Sequence, residues 1–84
     1  MINAEIERRF ISAGWTISDD STRHLLIGRY ENLWIVAYDA LSTTDEPTFR
    51  LIDGQRTWGC WVRTIPSPRI AAVLLEEHGE RLAG

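Results

Sequence analysis

Residues 33–38, LWIVAY, and 57–62, TWGCWV, are apolar at nearly every position. Short runs of β-branched and aromatic residues favour strands, and side chains alternate across a strand. In the second run Trp58, Cys60 and Val62 share one face, while Thr57, Gly59, Trp61 and Arg63 share the other. In the first, Leu33, Ile35 and Ala37 oppose Trp34, Val36 and Tyr38; just upstream, Leu25 and Ile27 oppose His24, Leu26 and Tyr30. A sheet with one wet face alternates apolar with polar. These strands do not, so the fold has two apolar sheet faces to account for.

The rest of the 84 residues limits how that can be done. A chain this short is one domain, residues 1–84, and buries about 60–65% of the surface its unfolded form exposes. Its hydrophobic fraction of 44% and charged fraction of 25% belong to a folded domain rather than a disordered one. Residues 2–13 read as an amphipathic helix: Ile2, Ile6, Phe10 and Ala13 form one stripe, Asn3 is a candidate cap, and Gly14 is a stop. Trp15 is placed to fold back on the helix end.

A polar loop, SDDST at 18–22, precedes two β-like runs, 23–30 and 33–41, joined by a turn near Tyr30–Asn32. Residues 42–47, STTDEP, read as a flexible loop. A second hairpin, 48–52 and 56–65, flanks Asp53–Gly54, a pair that accepts positive φ cheaply. Ser67 as cap and Pro68 at the first helical position open a closing helix that ends near His78 at Gly79. Ile70, Ala71, Leu74 and Leu75 are assigned to its inner face. Leu82 is placed to continue the packing, and the last two residues to fray.

The expected fold is therefore α+β in the order α-β-β-β-β-α. It has an antiparallel four-stranded sheet of two hairpins, with the N- and C-terminal helices on one face. Two helices cover one face only, so a second copy, a protein partner or a ligand is expected on the other. Trp61 is the leading anchor there, with Tyr38 or Trp34 from the neighbouring strand and Arg63 on the rim; register decides which aromatic points outward. Gly59 leaves room beside the Trp61 indole unless a cross-strand side chain packs over it.

The alternative is nucleic-acid or small-ligand binding by the same face, with Arg50, Arg56, Arg63 and Arg69 around Trp61. Against it stand a net charge of -3 and the absence of Lys; all nine basic residues are Arg, a usage that codon bias in a GC-rich genome also produces. There is no GFGFV run of the kind that stacks RNA bases.

No catalytic constellation, metal site or cofactor is implied. Cys60 lies mid-strand among apolar neighbours, where a thiol behaves as a small hydrophobe. His24 and His78 are the only histidines, and His78 suits a helix C-terminus. The acid pairs Asp19–Asp20 and Asp45–Glu46 lack the ligand series calcium needs. The opening MINAEIERRF has charges where a secretory leader needs an apolar stretch, and no apolar run approaches about 20 residues, so neither a leader nor a membrane span is expected. The expectation is a cytoplasmic, non-enzymatic interaction module: a homodimer, or a domain docking a protein partner, with no membrane contact.

Overall fold

The computed structural model describes residues 4–42 and 45–82. The proposed cap at Asn3 with Ile2, the middle of the 42–47 loop, and the last two residues lie outside them. Among the described residues an antiparallel meander of six strands runs β1-β2-β3-β4-β5-β6. The strands are β1 Thr16–Ile17, β2 Leu25–Tyr30, β3 Leu33–Tyr38, β4 Phe49–Asp53, β5 Trp58–Val62 and β6 Glu80–Arg81. Helices α1 Ala4–Ala13 and α3 Pro68–His78 flank them, and a single helical turn, α2 Asp39–Ser42, follows β3.

The α+β class, the antiparallel pairing and the two helices on one face match expectation; four strands do not. The extra pair, β1 and β6, are two residues each, too short to show a period of two. The second β-like run also ends early, because residues 39–41 turn helical.

Register fixes the faces. Leu26 opposes Ala37, Gly28 opposes Ile35, Ile35 opposes Leu51, and Leu51 opposes Cys60. These side chains meet Ile6 and Phe10 of α1 and Ala71 and Leu75 of α3 in one core. The Phe10 and Phe49 rings pack edge to face at 5.8 Å. Ile70 is a correction: it is 55% exposed, because the buried line along α3 runs through Pro68, Ala71 and Leu75.

The ends of the helices show why the chain turns where it does. The Gly14 N–H donates to the Ile11 carbonyl and the Trp15 N–H to the Phe10 carbonyl, both at 3.0 Å, with Gly14 at φ 110. That is a Schellman closure, and it delivers Trp15 into the core. At the start of α3 the Ser67 hydroxyl accepts from the Ile70 N–H at 3.3 Å. Gly79 ends the helix without a left-handed turn: its φ is -64, and any side chain there would collide with the Leu75 carbonyl. The chain thus passes straight from α3 into β6.

The hairpins differ from expectation in one respect. Between β2 and β3 a two-residue turn holds Glu31 at φ 53. Between β4 and β5 the loop is four residues long, and the left-handed position is Thr57, at φ 55, not Gly54. Asp53 acts through its carboxylate, which accepts from the N–H groups of Gln55 (3.0 Å) and Arg56 (3.1 Å).

Candidate functional site

The face opposite the helices is carried by β2 to β5. Its rows follow from the register: Arg29, Trp34, Ile52 and Gly59 form one, and Ile27, Val36, Arg50 and Trp61 the next. Leu25 stands opposite Tyr38 at the edge of the set. Trp34, Tyr38 and Trp61 therefore share one face, although they come from strands separated by β4. The Tyr38 and Trp61 rings lie 6.0 Å apart and tilted by 43°. Trp61 is 50% exposed and Tyr38 36%.

Not all of this face is open. Val36 is only 6% exposed, roofed by its larger neighbours. Trp34 is half-buried because its indole lies over the β4–β5 loop, where a side chain at Gly54 would meet Trp34 Cη2 at 3.1 Å. Around it Leu25, Ile27, Trp34, Tyr38 and Ile52 line a shallow hollow of about 250 Å³. The space over Gly59 is filled: a Cβ there would stand 2.7 Å from Leu82 Cδ2 and 3.4 Å from an Arg50 nitrogen. Leu82 itself is fixed by its N–H, which donates to the Thr57 carbonyl at 2.8 Å.

Charge on this face is mostly arginine. The Arg50 guanidinium sits 5.0 Å from the Trp61 ring centroid, and Arg29 sits 6.0 Å from that of Trp34. Each Arg is the direct cross-strand partner of its tryptophan, so flat cation and ring overlap by register alone. Arg63 lies at the rim, 3.6 Å from Glu46, with both side chains largely exposed.

The four arginines around Trp61 in sequence are not brought together. Arg50 and Arg63 belong to this face. Arg56 lies in the β4–β5 loop, 5.1 Å from the Trp58 ring, and Arg69 is exposed on α3, in the other layer. Sequence reasoning missed Arg29 and the central place of Arg50 beside Trp61. The signal was available in TFRLI, where Arg50 and Ile52 share parity with each other but not with the core residues Phe49 and Leu51.

No protein family, curated protein or solved structure matches this chain.

The remaining candidates are placed as follows. Cys60 lies on the core side, partly buried against the hydrophobic cluster. Burial pushes its thiol pKa up, opposed by the field of Arg50. His24 Nδ1 lies 3.1 Å from Asp39 Oδ2 on the surface, and His78 Nε2 lies 3.9 Å from Glu77. Among the described residues no group of three His, Cys, Asp or Glu is arranged to hold a metal ion, and no helix is long and apolar enough to cross a membrane.

The two long edges of the sheet end differently. Along β2 every outward backbone position is engaged. Arg29 pairs with Thr16, the Ile27 carbonyl accepts from the Ser18 N–H (2.8 Å), and the Thr22 N–H donates to the Leu25 carbonyl (2.8 Å). The Ser21 hydroxyl adds a bond from the Ile27 N–H at 2.9 Å. Along β5 the outward positions are Thr57, Gly59 and Trp61, since backbone groups alternate in direction. Leu82 and Glu80 engage the first two. β6 begins opposite Gly59, so among the described residues no strand lies beside Trp61.

Proposed function

We propose that this chain is a small non-enzymatic interaction module that docks a protein surface, its own copy or a partner's, on the open face of its sheet. The observation that carries the reading is the half-exposed Trp61–Tyr38 pair next to the apolar hollow of Leu25, Ile27, Trp34 and Ile52. A contiguous apolar patch rimmed by charge is the ordinary form of a contact surface, and aromatic and Arg side chains are its usual anchors. Trp61 and Tyr38 are the anchors here, Trp34 frames the hollow, and Arg63 stands at the rim.

Light scattering over a wide concentration range tests this, on the native chain and on Trp61→Ala. A dimer that the substitution dissociates assigns the face to self-contact. A native monomer directs the test to partner capture, again compared with Trp61→Ala. Association or capture unchanged by Trp61→Ala, with the fold intact, overturns the reading.

A second reading, single-stranded nucleic acid on the same face, draws on the two arginines held against Trp34 and Trp61. Titration with an oligothymidylate at low salt decides it. Binding that weakens steeply with salt supports it, and no binding removes it.

A further inference from the structure

Trp61 belongs to the open face by its side chain and to the open sheet edge by its backbone. Beside that edge lies a cleft of about 300 Å³ lined by Arg50, Cys60, Trp61, His78, Glu80 and Arg81. Two arginines and one glutamate are among its lining residues, in a chain whose net charge is -3. Arg63 follows two residues after Trp61, on the same side of the strand. A free N–H and C=O on an edge strand is a template for another extended chain, and here the flanking charge selects which chain. Antiparallel pairing with a second copy would set this arginine-flanked edge against its own image, like charges facing. An acidic segment meets the opposite sign at Arg50 and Arg81, with Glu80 as the one carboxylate residue in the cleft lining.

We propose that the β5 edge at Trp61 accepts an extended acidic peptide from a partner protein as an added strand. The peptide main chain bonds to the Trp61 N–H and C=O, and its carboxylates reach Arg50 and Arg81. The inference rests on the interaction-module reading and names the partner's chemistry. It also accounts for the difference between the edges: β2 is closed by the chain's own β1 and Ser21, while β5 is closed only as far as Gly59.

The test selects from a library of random octapeptides on the immobilised full-length chain, then follows the most enriched octapeptide by amide hydrogen exchange. The expected result is enrichment of Asp and Glu, slowed exchange of the Trp61 amide on binding, and about fivefold weaker binding by Arg81→Glu. Arg81→Glu is at an exposed position, and its circular dichroism verifies the fold.

Enriched peptides without acidic bias overturn the inference. So does protection confined to β2 and β3 with the Trp61 amide unchanged, an outcome that leaves open-face docking standing. A free protein of dimeric mass whose Trp61 amide is already protected assigns the edge to a second copy, and overturns it too. A library that yields no retained peptide overturns the inference, while the light-scattering comparison with Trp61→Ala still decides the face reading separately.

Discussion

The indole N–H of Trp15 donates to the carbonyl of Pro66 at 2.8 Å, across 51 residues of sequence and inside the core. The bond joins the end of α1 to the segment that leads into α3, so both helices are held in one layer over the sheet. Trp15→Phe keeps much of the ring but orphans a buried carbonyl, a loss of roughly 2–3 kcal/mol. Urea denaturation measures it; a change below about 0.5 kcal/mol would mean that water replaces the indole.

Gly28 is a point at which the sheet packs close against Phe10 of α1. A methyl group there would stand 2.7 Å from Ile35 Cγ2 and 3.1 Å from both Phe10 Cδ2 and Trp15 Cβ. Gly28→Ala is expected to destabilise by about 1–3 kcal/mol through overpacking. Its near-ultraviolet dichroism should also change, because Trp15 has to move. A neutral outcome in the same urea assay would show that α1 shifts without cost.

Much of this arrangement was legible in the sequence because each signal was local. The Ser67–Pro68 start, the Gly14 stop and the parity of LWIVAY and TWGCWV need only neighbouring residues to read. The sharing of one face by Trp34, Tyr38 and Trp61 required register, which depends on β4 between them. β1 and β6 were hidden because two residues carry no period, and both are strands only because β2 and β5 are already in place. The loop after Asp53 was misjudged because Asp–Gly suits two geometries; side-chain bonds to Gln55 and Arg56 select the longer one.

Thr57 is a β-branched residue at φ 55, a conformation that such residues rarely adopt. The four-residue loop demands it, and the Thr57 carbonyl must then face Leu82. Thr57→Gly removes the strain and is expected to stabilise by about 0.5–1 kcal/mol, a rise in Tm of roughly 2–8 °C for a domain of this size. Thermal denaturation checks it. A fall in Tm would show that the lost chain entropy of Gly outweighs the relieved strain.

The two open-face tryptophans should separate in their contribution to stability. Trp61 is half exposed, so Trp61→Ala is expected to cost less than about 1 kcal/mol. Trp34 is half-buried across Gly54 and under Arg29, and Trp34→Ala should cost roughly 2–3 kcal/mol. Urea midpoints of the two variants give the order directly. The reverse order would make Trp61 a structural residue and weaken its assignment as an anchor.

Cys60 gives the fold a pH dependence of known sign. Its thiol pKa is raised in the folded chain because burial disfavours the thiolate, with Arg50 opposing in part. The folded state therefore holds the proton more tightly than the unfolded state. The stability this confers is fully present below the ordinary thiol pKa and is lost as pH rises through the elevated folded value. Native chain should react with iodoacetamide at neutral pH more slowly than urea-unfolded chain. Urea midpoints should fall over that alkaline window more steeply in the native sequence than in Cys60→Ala. Equal slopes, with native thiol as reactive as unfolded, would place Cys60 in solvent and reopen it as a reactive group.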